Sequence, residues 1–336
     1  IWRGKGSRLP VDRMDGQLVF GMRKILLIIG LWIISIPLWA QEGGWQWWND
    51  VHGWDPGDPG WRNWMIVAPG NLGPNALPVP ELEKGIIQET GEIRTSLSRH
   101  FHPDDPTQDI SFHLRVPFAD GKVAVEAYGV VLENYNYTEE IRNSRFSRDQ
   151  DGKGVGLGDL YFSTLIQLSR DRSFPNTLLR MACKTASGNL QAARFTDSPG
   201  YYVDVSSSKD FRVGRFNTLR TYIDLGFFSW QTNDEATPQN DAFLYGAGMD
   251  WTNGILLLSG TLSGYSGYMS GPYEGKMLAY SDKYAEVMVY DKPVVLTAKS
   301  RYDWDYTAAE LQIAYGLRDW NYRSFRFSFI WKFGML

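Results

Sequence analysis

The 336-residue chain carries 34 Lys+Arg and 38 Asp+Glu, and its mean hydropathy is −0.32, which excludes a bundle of transmembrane helices and a strongly basic nucleic-acid-binding protein. The single cysteine, Cys183, excludes an intramolecular disulfide, a Cys-rich zinc site and an iron–sulfur cluster. The unusual features are 14 Trp, 18 Tyr, 17 Phe and 34 Gly.

The first forty residues have the order of an export signal. Residues 1–21 show no apolar pattern, and we interpret them as an upstream extension. Residues 22–40 contain a basic start, an apolar run over 25–38 and a small residue, Ala40, which is typical of a secretory signal peptide cleaved near Ala40. The remaining chain has 28 Lys+Arg and 36 Asp+Glu. We expect an exported enzyme or an outer-membrane barrel of a Gram-negative-type bacterium.

Residues 41–90 form a Trp/Pro/Gly-rich segment without a helix or strand period. The turn residues of Asp55-Pro56-Gly57-Asp58-Pro59-Gly60 prevent regular structure. Six Trp between positions 45 and 64 need a surface to bury against. Two interpretations stay open: a plug that enters a barrel or caps its periplasmic end, and a segment lying on the membrane interface.

From residue 91 to the C-terminus, apolar and polar residues alternate with period two, as in Phe325, Phe327 and Phe329 against Ser324, Arg326 and Ser328. The polar side carries full charges and the apolar side is bulky, which favours a membrane barrel over a soluble sandwich. Because a bilayer leaves no backbone amide unpaired, such strands must close. Aromatic residues near strand ends predict interfacial girdles, namely Tyr135, Tyr137, Trp230, Trp251, Tyr302, Trp304 and Trp320.

We therefore predict an all-β fold, a closed antiparallel transmembrane β-barrel over residues 91–336. Loop lengths predict twelve strands, with fourteen as the alternative. The predicted strands are 91–101, 109–117, 122–136, 158–168, 176–186, 200–208, 214–230, 242–251, 255–266, 293–302, 307–317 and 322–333. The strand-like stretch from Lys283 to Tyr290 is assigned to an outer-loop hairpin, because a thirteenth membrane strand would leave the C-terminus outside.

The inward faces of these strands collect charged side chains, which are the candidate lumen-lining residues. They are Arg94, His113, Arg115, Glu126, Arg180, Lys184, Asp204, Arg220, Asp224, Asp250, Lys299, Arg301, Glu310, Arg326 and Lys332. Open aqueous porins have about 16–18 strands, so a twelve-stranded lumen is narrow. The charges either pair and fill the lumen or line a path that favours anionic or phenolic solutes.

Other polar groups indicate weaker possibilities for chemistry. Ser111 and His113 share one strand face, as in barrel lipases, but no third residue is marked to orient the histidine. His100 and His102 precede acidic residues in a predicted outer loop, and exposed polarity explains them better than a metal site. The sequence 148–154 lacks the final glutamate of a calcium loop. We predict no catalytic residue, no metal and no cofactor.

A short motif resembles a known family. Gly158-Asp159-Leu160 opens one strand, and the next strand ends in Lys184-Thr185-Ala186-Ser187-Gly188. This is similar to the outer-membrane barrel family associated with transport in the phenol meta-degradation pathway, over roughly residues 158–230. Ala186 and Ser187 stand where that family has Pro and Thr. The resemblance implies passage of small, often aromatic or hydrophobic solutes.

Taken together, the sequence favours an outer-membrane channel for uptake of small organic solutes through a polar, charge-lined lumen. The alternative is a structural or surface-interaction barrel with a filled lumen, and a barrel hydrolase is more remote. The expected partners are outer-membrane lipids, a small-molecule solute and the barrel-assembly machinery, with no nucleic acid.

Overall fold

The computed structural model describes residues 44–170, 174–233, 237–272 and 288–334. The predicted upstream extension, the signal peptide and residues 283–287 of the predicted hairpin lie outside the described residues. Trp45–Leu336 form one compact unit.

Within the described ranges, two short helices and fifteen strands follow in chain order. The helices are α1 (Gln46–His52) and α2 (Glu139–Ser144), with 3-10 turns at Trp61–Trp64 and Pro69–Asn71. The strands are β1 (Gly91–Phe101), β2 (Thr107–Phe118), β3 (Val123–Asn136), β4 (Lys153–Gly156), β5 (Leu160–Ser169), β6 (Asn176–Lys184), β7 (Gly200–Val213), β8 (Asn217–Gln231), β9 (Gln239–Asn253), β10 (Leu256–Gly267), β11 (Gly271–Pro272), β12 (Met288–Val289), β13 (Val294–Asp303), β14 (Thr307–Arg318) and β15 (Arg323–Phe333). Among the described residues, no helix is long and apolar enough to cross a membrane.

Twelve long antiparallel strands form a closed barrel. The order runs β1-β2-β3-β5-β6-β7-β8-β9-β10-β13-β14-β15, and β15 pairs back onto β1 from Gly91↔Phe333 to Phe101↔Arg323. The prediction of twelve strands is confirmed, and the fourteen-strand alternative is wrong. Strand β4 extends the pairing along β3, and β11 pairs with β12 as a small hairpin.

The two ends of the barrel differ in their connections. Short turns join the strands at one end, called here the short-turn end, and most connections at the other, the long-connection end, are longer. The predicted turn at 209–213 is wrong because β7 continues to Val213. The chain turns at Gly214, whose φ of +70° is a conformation that glycine adopts without strain. Lys209, Asp210 and Arg212 belong to the strand, where Arg220 of β8 pairs with Asp210.

The distribution of polarity is inverted relative to a soluble protein. Outward-facing side chains such as Ile223, Leu296 and Phe327 are exposed, whereas inward-facing Ser96, Ser206 and Ser328 are buried. An exposed apolar belt on a sheet without free edges is what a lipid bilayer requires.

The predicted aromatic girdle is correct only in part. Tyr302 and Trp304 are exposed near the short-turn end. Tyr135, Tyr137, Trp230 and Trp320 are buried inside the molecule, so their assignment to a lipid interface is wrong. The physical reason is that their polar atoms bind internal partners. The Tyr135 hydroxyl donates to Asp149 at 2.7 Å and the Tyr137 hydroxyl to the Ala192 carbonyl at 3.0 Å, and the partners of the two indoles are described below.

Candidate functional site: the occupied lumen

The N-terminal part of the described chain, residues 45–64, covers the long-connection end and is called here the Trp cap. Trp48 Nε1 donates to the Phe146 carbonyl at 3.1 Å. The Arg148 guanidinium lies 4.1 Å from the Trp45 ring centroid and 4.7 Å from that of Trp61, which are cation–π distances. These indole rings therefore contact residues of the long connection after β3.

The next residues, 65–90, run through the lumen without long regular structure, and this segment is called here the strap. Its upper part is held by the buried wall aromatics. Trp230 Nε1 donates to the Val67 carbonyl at 2.9 Å, Trp320 Nε1 to the Pro74 carbonyl at 3.0 Å, and the Tyr265 hydroxyl to the Leu77 carbonyl at 2.6 Å. These bonds satisfy strap carbonyls that lie away from water.

The lower part of the strap continues to the short-turn end, where β1 begins. Gly85 N donates to Ser206 Oγ at 3.1 Å, and Ile87 N donates to Gln167 Oε1 at 2.8 Å. Gly85 has a φ of +72°, and a Cβ at this position would lie 2.8 Å from the Asn176 carbonyl oxygen. The strap therefore approaches the wall closely enough that a side chain at position 85 would clash.

Three charged residues in the middle of the strap bind charges of the wall. Glu81 accepts from Arg94, Lys299 and Arg326 at 3.0–3.2 Å. Glu83 accepts from Arg115 at 2.8 Å and lies 3.3 Å from Arg180. Lys84 Nζ donates to Asp250 at 2.6 Å. Sequence reasoning missed these strap charges, although the adjacent Glu81, Glu83 and Lys84 preceding the first strand were a visible signal.

The predicted lumen-lining residues face the interior, where many pair with each other. Arg115 Nε donates to Glu126 at 2.7 Å, Arg180 Nε to Asp204 at 2.8 Å, and Arg301 Nη2 to Glu92 at 2.6 Å. Asp224 accepts from Glu83 N at 3.1 Å, and Glu310 lies 3.6 Å from Arg94. Near the short-turn end, two more of the predicted lumen-lining cations form ion pairs, Arg220 with Asp210 and Lys332 with Asp303.

Lys184 differs from the other candidate lumen-lining residues because it is buried in a cluster with Asp159, Gly188 and Ser198, called here the clasp, and does not line a path for solutes. Its Nζ is 2.9 Å from Asp159 Oδ2 and donates to the Ser198 carbonyl at 2.6 Å. Asp159 Oδ1 accepts from Gly188 N at 2.8 Å, and Leu160 N donates to Thr185 Oγ1 at 3.1 Å. The motif residues of the sequence resemblance thus contact one another and fasten β5 to the connection after β6.

His113 contacts charged neighbours rather than Ser111. Its Nδ1 is 2.8 Å from Arg94 Nη2, and its Nε2 is 2.9 Å from Glu126 Oε1. These contacts place it in the ion-pair network of the wall. The Ser111–His113 pair considered from the sequence therefore has no nucleophile-and-base geometry.

A second histidine, His100, links β1 to β15, the strand pair that closes the barrel. His100 Nδ1 is 2.5 Å from Ser324 Oγ, and its Nε2 is 2.6 Å from Asp109 Oδ2. All three side chains are buried, and Asp109 also accepts from Asn75 of the strap at 3.1 Å. Sequence reasoning missed this contact because only the register between β1 and β15 brings His100 beside Ser324.

The strap leaves unequal space on its two sides. Between Val79–Leu82 and the wall residues Arg180, Asp204 and Asp224, the cavity has room for about one water molecule. On the opposite side the Glu81 side chain is 40% exposed, and those of Arg94 and Arg326 are 16% and 24% exposed. Water therefore reaches the charged cluster beside β1, β13 and β15.

These features define a class: a transmembrane β-barrel whose lumen is occupied by its own N-terminal segment. No protein-family profile and no curated protein sequence matches the chain. It is similar to several solved outer-membrane barrels. An outer-membrane channel from Pseudomonas putida F1 is 12% identical, with 76% of this chain and 100% of that chain covered and a TM-score of 0.49.

Two further structures are similar at lower scores. The KdgM porin in complex with disordered oligogalacturonate is 8% identical, covering 71% of this chain and 99% of that chain at a TM-score of 0.42. The β domain of the Bordetella autotransporter BrkA is 13% identical, covering 73% and 100% at a TM-score of 0.38. The fold of this chain is defined by its own strand pairings.

Proposed function

We propose that this protein is an outer-membrane channel for small organic solutes, and that the strap closes the lumen in the structure described. The observation that carries the proposal is the charged, water-accessible middle of the strap. Glu81, Glu83 and Lys84 bind the wall through charges, and contacts of this kind can be exchanged for contacts with water or a polar solute.

The contacts along the strap support opening at its middle rather than at its ends. Near the short-turn end Ile87 packs in an apolar cluster with Ala124, Leu165 and Leu178, and near the long-connection end Leu72 and Leu77 belong to the main aromatic core. The middle contacts are hydrogen bonds between charged groups, and water or a polar solute can replace them at a net cost of about 1.5–3 kcal/mol per hydrogen bond. Solutes would then pass on the side of Arg94 and Arg326.

The proposal places the chain in the outer membrane of a Gram-negative-type bacterium. Removal of the signal peptide near Ala40 and insertion by the barrel-assembly machinery belong to the same proposal, with outer-membrane lipids around the apolar belt. The exposed outward faces of the strands support this environment.

Single-channel conductance in planar bilayers tests the proposal. The double variant Glu83→Gln/Lys84→Gln removes the strap charges that bind Arg115 and Asp250. We expect a higher open probability than in the wild type. Glu89→Gln is the matched control, because Glu89 is exposed and its ion pair with the exposed Arg170 is long, at 3.6 Å. Equal conductance in all three proteins would contradict strap-controlled opening.

The alternative is a barrel with a filled lumen that acts through its outer connections, and the Trp cap favours it. Phe146 and Arg148 of the connection after β3 contact several indole rings, which holds the Trp cap against this connection. Liposome swelling distinguishes the two functions. If neither the wild type nor the double variant admits sugars or phenols faster than protein-free liposomes, the filled barrel is supported.

A further inference from the structure

Three cations of one wall region converge on the strap carboxylate Glu81. Arg94 lies on β1, Arg326 on the adjacent β15, and Lys299 on β13, which β14 separates from β15, so all three come from one side of the barrel. Arg94 and Lys299 contact Glu81 Oε2 at 3.2 and 3.0 Å, and Arg326 contacts Oε1 at 3.0 Å. Both carboxylate oxygens are thus bound.

The strand register shows that these cations have no carboxylate opposite them on the wall. Arg94 faces His113 and Ile330 across the strands. Lys299 faces Ser259 and Gln312, and Arg326 faces Gln312 and Ser98. The wall itself therefore gives none of the three an ion pair at a directly paired position.

The cations beside Glu83 are different. Arg115 is directly opposite Glu126, and Arg180 is directly opposite Asp204, and both pairs are hydrogen-bonded. These guanidinium groups keep a wall carboxylate whether or not the strap is present. The contrast separates two kinds of strap carboxylate: Glu83 joins existing ion pairs, whereas Glu81 supplies a missing one.

The wall charge around Glu81 is unbalanced without it. The nearest wall carboxylate, Glu310, is 3.6 Å from Arg94 and 4.0 Å from Lys299, longer than a hydrogen bond. Within 4 Å, one described wall carboxylate faces these three cations, so the positive charges outnumber it in a region that water reaches. Such an excess attracts a carboxylate from solution and binds it through charge-assisted hydrogen bonds.

We propose that Arg94, Lys299 and Arg326 form a binding site for the carboxylate of a small organic acid, and that Glu81 occupies this site as a built-in competitor. The inference rests on the proposed channel function and narrows its solute class. A solute carboxylate replaces Glu81, and the middle of the strap is then free to move away from this wall.

Equilibrium dialysis of radiolabelled butyrate against the detergent-solubilised full chain tests the site without transport. Butyrate has the carboxylate and short stem of a glutamate side chain, and butyramide is its neutral control. In Glu81→Gln the competitor charge is gone, so we expect butyrate affinity to rise about 10-fold or more, since hydrogen bonds to charged groups are the strong ones. Butyramide affinity should not change.

Glu83→Gln is the matched control, because it removes the same charge from the same strap while Arg115 and Arg180 keep their wall partners. We expect its butyrate affinity to equal that of the wild type. Adding Arg326→Gln to Glu81→Gln should abolish the gain. Should Glu81→Gln not fold, Glu81→Asp retains the charge on a shorter stem, and intermediate affinity is expected.

Equal butyrate binding by the Glu81 and Glu83 variants, or no gain in either Glu81 variant, would overturn the site. Conductance measurements distinguish a failure of the carboxylate site from a failure of the proposed channel function. A Glu81 variant that binds butyrate while no variant conducts overturns the channel and supports the site. Conductance in the Glu83→Gln/Lys84→Gln variant without butyrate binding in Glu81→Gln supports the channel and overturns the site.

Discussion

Replacing Arg194 by Met is expected to destabilise the barrel strongly at its long-connection end. Arg194 Nε donates to Glu133 at 2.7 Å, and its other nitrogens bind Asp105 and Thr107. The side chains of Arg194, Asp105 and Glu133 are at most 1% exposed. Removing one partner of a buried ion pair costs about 3–5 kcal/mol, because the other charge stays buried.

Asp105 and Glu133 do not lose the same share of their partners when Arg194 is replaced. Asp105 keeps Arg145 at 2.7 Å and the Tyr322 hydroxyl at 2.5 Å. Glu133 keeps only Asn75 Nδ2, at 2.6 Å, among its described partners. Most of the loss therefore arises at Glu133, and adding Glu133→Gln to Arg194→Met should restore about 1–3 kcal/mol by removing the uncompensated charge.

Urea unfolding in phospholipid vesicles, followed by tryptophan fluorescence, measures the free energy of unfolding. Arg62→Met is the control, because its ion pair with Asp197 is half exposed and should contribute under about 1 kcal/mol. A loss in Arg194→Met no larger than in this control would refute the reasoning. So would a double variant no more stable than Arg194→Met alone.

Three further outcomes are expected. Burial and, secondarily, Arg142 lower the pKa of His52 to about 4, so the imidazole stays neutral in the folded Trp cap. The stability of the Trp cap should therefore fall as the pH drops from 6.5 to about 4, because the unfolded chain binds the proton first. A His52→Phe variant that shows the same pH-dependent change in tryptophan fluorescence would refute this. Lys184→Met should cost about 3–5 kcal/mol in urea unfolding, and Asp159→Asn in that background should recover part of it; no recovery would contradict the clasp. Phe329→Arg places a charge on the outward face and should cost about 2–4 kcal/mol near the bilayer midplane, and a neutral effect would argue against lipid contact there.

The barrel could be predicted from the sequence because its signals are local. Each strand alternates between lipid and interior, so period two is visible within ten residues. The predicted bounds of β1 and those observed agree at Gly91 and Phe101. The error at 209–213 arose because charged residues that pair across β7 and β8 resemble a polar turn.

The strap could not be predicted in the same way because its contacts are distant in the chain. Glu81 binds residues of β1, β13 and β15, and Lys84 binds Asp250 of β9. A segment whose residues bind several different strands has no period of its own. The clasp around Lys184 was missed for a related reason: an inward-facing lysine cannot be distinguished from a lumen-lining one until the following connection is placed over it.

A thiol cross-link directly tests whether the strap lies inside the barrel. A Cβ at Gly246 would lie 3.1 Å from Leu82 Cγ, so cysteines at both positions come within disulfide range. In a Cys183→Ser background, the folded Leu82→Cys/Gly246→Cys protein is oxidised and then labelled with maleimide. We expect neither thiol to be labelled until a reductant is added. Labelling of both thiols after oxidation would show that residue 82 does not lie against β9 and would contradict the account.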